Sequence, residues 1–234
     1  MKKISHLFPL VLCLLASSFV FSPVNAQQNP AEYTVHFKTG SVVPDNNAQK
    51  YLTSFNGLTE SIYDNQFFKI IQFNEIPDEA AKAILKNAGV TLLDYIPNIA
   101  YFASFASDFS AEELMDKGIR SILDVDTDYK LAPILHEGNY PDHAILEDGS
   151  ISLLVSYYPN LNSDQIVVAL SGKGYTIINR DDFGSYVNIG VSISDIQSIT
   201  DLAYVVYVEP IYPVPEPENS TGRTLHRSNA IATD

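Results

Sequence analysis

Histidine, cysteine and clustered acidic residues could carry catalysis or bind a metal in this chain, but their spacing supports neither role. The five histidines are scattered, and none opens the HExxH pattern of a zinc protease. The single cysteine, Cys13, lies in the N-terminal apolar run, so the rest of the chain offers no thiolate. No serine stands in a GxSxG motif. We therefore expect no catalytic residue, metal or cofactor, and predict that the chain is not an enzyme.

Asp124, Asp126 and Asp128 resemble the start of a calcium-binding loop. The sixth position of that loop requires glycine and the twelfth a bidentate glutamate, but the chain has Tyr129 and Leu135 there. We interpret the three aspartates as solvated charges that protect a sheet edge.

The chain is strongly acidic. Its formal charge is −14 with histidine neutral, and it becomes −16 if the N-terminal segment, which carries two lysines and no acidic residue, is removed. Nucleic acids and anionic lipids bind clustered Lys and Arg, so the charge argues against both as partners.

Residues 1–26 have the pattern of an export signal. Lys2 and Lys3 precede an apolar run from Leu7 to Phe21, and small residues lead to Ala26, after which we predict cleavage. A membrane-spanning helix needs about twenty apolar residues, more than this run contains, so we expect no stable insertion after removal of the signal. The predicted location is therefore outside the cell or in the periplasm.

Residues 67–126 have the pattern strand, helix, strand, strand, helix, strand. The first strand is rich in aromatic and β-branched residues, and Pro77 opens the first helix, which Gly89 closes. Ser110 and Glu113 form a capping box that predicts a second helix, ending at Gly118. This order of elements is that of the ferredoxin-like, or split βαβ, unit.

The same pattern returns about 85 residues later, with Gly174 in the position of Gly89 and Tyr186 in that of Tyr101. We therefore predict the α+β class, with two tandem ferredoxin-like domains and an extended C-terminal tail. The predicted boundaries are a signal peptide at 1–26, a first domain with an extra N-terminal segment at 27–135, a linker at 136–149, a second domain at 150–212 and a Pro-rich, then disordered, segment at 213–234.

A ferredoxin-like sheet has helices on one face only, so the residues on its other face can bind a partner. In the second domain the alternation of residues places Leu154, Tyr158, Tyr186 and Asn188 on this open side. Packing by the neighbouring domain is the alternative explanation for these residues. In the first domain both faces are apolar, which indicates that the chain itself covers the open side.

The run GVTLLDYIPNIAYFASF, residues 89–105, resembles the propeptide domains of secreted bacterial subtilisin-like serine proteases, the fervidolysin type in particular. The ending EPIYPVPEPENSTGRTLHRSN is similar to the linker that leads from such a propeptide into the protease. The Asp, His and Ser motifs of the catalytic domain do not occur in this chain. The resemblance implies an intramolecular chaperone and inhibitor that binds a protease catalytic domain in cis or in trans.

The resemblance also implies roles for the C-terminal residues. The tail that starts at Glu209, Pro210, Ile211 and Tyr212 is expected to lie as an added strand in the substrate cleft of the protease. Prolines resist cleavage around themselves, so we expect processing within the segment marked by Thr221, Arg223, Arg227 and Asn229. The alternative function is an exported protein-binding or adhesion scaffold that has no protease partner.

Overall fold

The computed structural model describes residues 30–57 and 60–213, which form mixed α and β structure of the α+β kind. It contains two four-stranded antiparallel sheets and one two-stranded sheet. Each four-stranded sheet has its own apolar core, and the two sheets also contact each other.

The first sheet has the strand order β4-β5-β3-β6, and every neighbouring pair is antiparallel. It is preceded by a short N-terminal part. The elements of this half are α1 (Pro30–Tyr33), β1 (Val35–Phe37), β2 (Gly40–Val42), α2 (Ala48–Ser54), β3 (Gln66–Phe73), α3 (Glu79–Asn87), β4 (Val90–Ile96), β5 (Ala100–Ala106) and β6 (Ile119–Leu123).

Helix α3 begins and ends as its sequence predicts. The side chain of Asp78 caps it by accepting a hydrogen bond from the Ala81 amide at 2.7 Å. Gly89 follows with a φ of +87°, and a Cβ there would lie 3.0 Å from the Cα of Phe109. Glycine is thus required both by the backbone conformation and by the close approach of the chain.

The prediction of a second helix in this half, from Ser110 to Gly118, is wrong in its length. Only a 3₁₀ turn, Glu112–Leu114, forms there, although the Ser110 hydroxyl accepts a bond from the Glu113 amide at 3.4 Å. Helix α2 instead packs at this part of the sheet, because Asn47 at its start bonds both the N–H and the carbonyl of Ile122. Leu52 on α2 is buried in the same core.

The opposite face of the first sheet is covered by β1 and β2. Val35 packs there against Ile70 and Ala100 in a small cluster of its own, and all three are at most 1% exposed. The prediction that the chain covers this face is therefore confirmed.

The second sheet has the strand order β10-β7-β9-β8, again antiparallel throughout. In both sheets the first strand in the chain lies between the third and the fourth. The elements of this half are β7 (Ile151–Tyr157), α6 (Ser163–Gly172), β8 (Thr176–Asp181), β9 (Tyr186–Val191), α7 (Ile196–Thr200) and β10 (Val205–Pro210). Asn162 caps α6 by accepting a bond from the Gln165 amide.

The segment between the sheets is folded. It contains α4 (Thr127–Lys130), α5 (Pro133–His136) and a 3₁₀ turn, Asp142–Ala144. Leu131 pairs with Val208 of β10 through an isolated parallel bridge, so it covers the outer edge of the second sheet. Ala144, within the predicted linker 136–149, is fully buried in the second core, so part of that linker packs there.

Candidate binding face and the cleft between the sheets

The open face of the second sheet is the side opposite α6 and α7. Strand register places Leu154 directly across from Asn188 and Ser156 across from Tyr186, and all four side chains are half-buried. Three of the residues predicted for a binding face, Leu154, Tyr186 and Asn188, therefore lie together on this face. They keep part of their surface exposed.

Tyr158, the fourth predicted residue, is placed differently. It is 1% exposed, and its ring stacks on Phe68 of the first sheet with centroids 3.7 Å apart and planes 4° apart. The ring of Phe102 meets it edge-on at 5.9 Å. The neighbouring sheet therefore covers Tyr158, the alternative that the sequence left open, and this residue is not on a free surface.

The β10 side of the open face is covered by a charged side chain. Lys38, in the turn between β1 and β2, lies 3.1 Å from the Glu209 carboxylate and 4.2 Å from the ring centroid of Tyr207. Burial, and next the nearby Glu209 charge, raise the pKa of Tyr207 to about 12. An exposed pair of this kind adds little stability, about 0–1 kcal/mol, but it occupies this part of the face.

The predicted cleft-binding tail begins later than expected. Glu209 and Pro210 belong to β10, where Pro210 lies opposite Leu153. Proline is tolerated there because β10 is an edge strand. Ile211 still donates its amide to the carbonyl of Ser152 at 3.3 Å.

Tyr212, which is 66% exposed, is therefore the first predicted tail residue whose side chain is largely free in solvent. Pro213 is the last residue described. The signal cleavage site at Ala26 and the processing residues Thr221, Arg223, Arg227 and Asn229 lie outside the described residues.

A groove of about 490 Å³ lies where the tail leaves the sheet. Its walls are mostly apolar, and they include Pro133, Pro141, Tyr207 and Ile211. The nitrogen Nε2 of His143 lies 3.0 Å from the Ile211 carbonyl oxygen, which fixes the chain at this point. The sequence did not predict this groove because its outer wall comes from the segment interpreted as a linker.

A larger cleft of about 620 Å³ separates the two sheets beside Tyr158. Lys69 lies in this cleft, on strand β3, and is 6% exposed. Its ammonium group forms ion pairs with Glu60, at 2.5 Å, and with Asp124. Glu60 also accepts the hydroxyl of Tyr51 at 3.0 Å. One of the three aspartates considered for calcium thus neutralises a buried lysine.

Lys130 is the second buried lysine of the cleft, also 6% exposed. Its Nζ donates to the carbonyl of Leu202 at 3.2 Å, which joins α4 to the end of α7. Burial lowers the pKa of Lys130 to about 8, against a smaller opposing effect of Asp201. Its amine is therefore partly neutral in mildly alkaline solution.

The two buried lysines of the cleft both have partners within the chain. Among residues 30–57 and 60–213, no group of three or more His, Cys, Asp or Glu side chains is arranged to hold a metal ion. Asp126 caps α4 by accepting the amide of Asp128 at 3.0 Å. The signal for one of the two buried lysines was present in the sequence, since Lys69 interrupts the apolar run FFKIIQF.

Comparison with known proteins adds one similarity. Residues 36–126, less than half of the chain, match a domain of unknown function (DUF8729). This range runs from β1 to the end of the first sheet, so it includes both strands that cover the first sheet's second face. No curated protein and no solved structure matches the chain. In the part of the chain that the structure describes, no helix has the length and hydrophobicity needed to cross a bilayer.

Proposed function

We propose that this chain is an exported, propeptide-like protein that inhibits a subtilisin-like serine protease and assists its folding, in cis or in trans. One observation carries the proposal. Strand β10 at the edge of the second sheet continues directly into Tyr212 and Pro213, which are exposed, beside the half-exposed Leu154, Tyr186 and Asn188. An accessible face and a chain that leaves it in extended form are the two parts that such an inhibitor requires.

The shared strand order supports the assignment of both sheets as tandem ferredoxin-like domains. In each, two helical connections flank a central hairpin pair of strands, which is the β-α-β-β-α-β order. The second helical connection is short in each half. In the first half α2 takes its place in the core, and in the second half α7 has only five residues.

The mechanism depends on two weak contacts that act together. The open face would pack on the protease surface, while the chain after Ile211 would add a strand in the substrate cleft. A short tether gives an effective concentration of about 1 mM, so a micromolar intrinsic affinity would keep the cleft about a thousandfold biased to the occupied state. Cleavage of the tether would remove this bias.

A second candidate function is an exported protein-binding scaffold without a protease partner. The burial of Tyr158 between the sheets favours it, because it makes the accessible part of the open face smaller than the sequence predicted. The two functions differ in whether the tail is needed for binding.

Residual activity of a subtilisin in the presence of residues 27–234 tests the proposed function. We expect inhibition at micromolar protein, and loss of most of it when the chain is ended after Pro213. Ile76→Ala, which alters an exposed apolar residue before α3, is the control and should inhibit like the parent. Undiminished turnover at micromolar parent protein would favour the scaffold.

A further inference from the structure

The turn between β8 and β9 presents a phenylalanine to solvent. Phe183, at its tip, is 103% exposed, more than any other large apolar side chain of the described residues. Single exposed apolar residues are common on proteins. This one differs because hydrogen bonds to the Asp181 side chain hold the turn that carries it.

Asp181 holds the turn from inside. Its carboxylate accepts the amides of Phe183 and Gly184, at 2.8 and 2.9 Å, and the hydroxyl of Tyr186 at 3.0 Å. These bonds, that from Gly184 most of all, lower the pKa of Asp181, so it stays ionised and the bonds persist at neutral pH.

Gly184 and Ser185 complete the turn. A Cβ at position 184 would lie 2.6 Å from the Tyr186 ring, so a larger residue would displace that ring or the turn, and Ser185 has a φ of +51°. An aromatic side chain on such a pre-ordered turn loses little conformational entropy on binding.

The surroundings of Phe183 are acidic. Arg180 is paired with Asp164 and, at 3.4 Å, with Asp182, which also accepts the hydroxyl of Ser163. With Asp181, three carboxylates and one guanidinium lie at the base of the tip. A partner surface that complements this tip would therefore have an apolar pocket for the phenylalanine and cationic groups around it. An anionic membrane would be repelled.

The tip lies at one end of the open face, and the tail leaves at the other. The Ser185 carbonyl accepts the amide of Tyr157 at the end of β7, while Ile211 bonds Ser152 near its beginning. These two points are five residues apart along the extended strand, a distance of about 17 Å. Leu154 and Asn188 lie between them.

We propose that Phe183 is an aromatic anchor that inserts into an apolar pocket with a cationic rim on the protease, outside its substrate cleft. The inference rests on the proposed function and adds a third contact to the face and the tail. It gives the open face a defined orientation on the partner, since the tip and the tail fix its two ends.

Calorimetric titration of residues 27–234 into a subtilisin whose catalytic serine is replaced by alanine tests the anchor. Phe183→Ala should weaken binding about thirtyfold, as loss of a central aromatic contact does. Phe183→Leu, which keeps an apolar side chain, should stay within about fivefold of the parent. Ile76→Ala, which truncates another exposed apolar side chain, should bind like the parent.

Gly184→Ala provides a second, independent variant, because it keeps the phenylalanine and disturbs the turn. It should also weaken binding, and an unchanged thermal midpoint in both variants would show that the fold is intact. Parent-like affinity of Phe183→Ala would overturn the anchor and leave the proposed function standing.

No binding by the parent would overturn both the anchor and the proposed function. Sedimentation with phosphatidylcholine vesicles is the remaining arm. Phe183-dependent vesicle binding, with subtilisin affinity unchanged by Phe183→Ala, would assign the side chain to lipid and overturn the protease pocket.

Discussion

Two residues of the second half, Leu154 and Tyr158, are predicted on the same face of the sheet but differ in how far they are buried. Leu154 on β7 and Tyr158, one residue past the end of that strand, have the same parity, yet Leu154 stays half-exposed and Tyr158 is covered by Phe68. The alternation of a strand gives the face of a residue but not what the rest of the chain places over that face. The sequence could therefore assign Tyr158 to the open side, but it could not show that the first sheet covers this residue.

The burial of Lys130 makes the stability of the fold depend on pH. Its folded-state pKa of about 8 lies below the ordinary 10.5, so the unfolded chain holds the proton more tightly. The cost of burying the charge is present in full below pH 8 and is relieved as the pH rises from 8 to 10.5. The parent should therefore gain up to about 3 kcal/mol relative to Lys130→Met over this window.

Urea unfolding of both proteins at several pH values measures this change. Tyrosines that titrate in the same range are common to the two proteins and cancel in the difference. Lys50→Met, at an exposed position on α2, serves as the control. A difference for Lys130→Met that does not change with pH would mean that its ammonium group is not desolvated.

At the scale of elements, the residues that set strand and helix limits were informative. The sequence predicted helix α3 from Pro77 to its closing glycine, and the observed helix begins two residues after that proline. These limits follow from local chemistry, such as Asp78 at the cap and Gly89 at positive φ. The helix predicted at 110–118 does not form at full length, because a segment distant in the sequence takes its place in the core. Helix α2, about 60 residues earlier, already packs there.

The candidate site was predictable to a similar degree. Register on β7 and β9 follows from apolar alternation, so Leu154, Tyr186 and Asn188 could be brought together from sequence. The limit of the tail could not, because Pro210 reads as a strand breaker unless β10 is known to be an edge. The groove and the cleft depend on contacts between distant segments.

Arg120 on β6 holds the N-terminal part onto the first sheet, which gives an element-scale prediction. It is 7% exposed, its guanidinium lies 4.1 Å from the Tyr33 ring centroid, and it donates to the Pro44 carbonyl at 2.8 Å and to Gln72 at 3.1 Å. Arg120→Leu leaves these buried acceptors unpaired, so we expect a loss of about 2–4 kcal/mol.

Hydrogen exchange distinguishes this role from general destabilisation. Amides of β1 and β2 should lose protection in Arg120→Leu before those of β7, because the second core does not contact Arg120. Arg180→Leu removes an exposed arginine on β8 and should cost about 1 kcal/mol or less. Equal loss of protection in both sheets would contradict a local role for Arg120.

At the scale of the whole molecule, the two halves meet through aromatic and polar contacts. Tyr158 stacks on Phe68, Tyr204 lies against Tyr63 with ring centroids 4.5 Å apart, and Lys38 pairs with Glu209 across the halves. Two sheets with separate cores can unfold separately unless contacts of this kind couple them. The family match, residues 36–126, ends before the first strand of the second sheet.

Tyr158 is the contact on which we expect this coupling to depend most, since its buried ring lies against two aromatic rings of the first sheet, Phe68 and Phe102. Tyr158→Ala removes a buried ring, and we expect it to cost about 3–5 kcal/mol and to split one calorimetric transition into two. Its hydroxyl has no hydrogen-bond partner among the described residues. Tyr158→Phe should therefore keep a single transition and be neutral or about 1 kcal/mol more stable. A parent that already melts in two steps, or a Tyr158→Ala variant that still melts in one, would show that the sheets are coupled by other contacts or not at all.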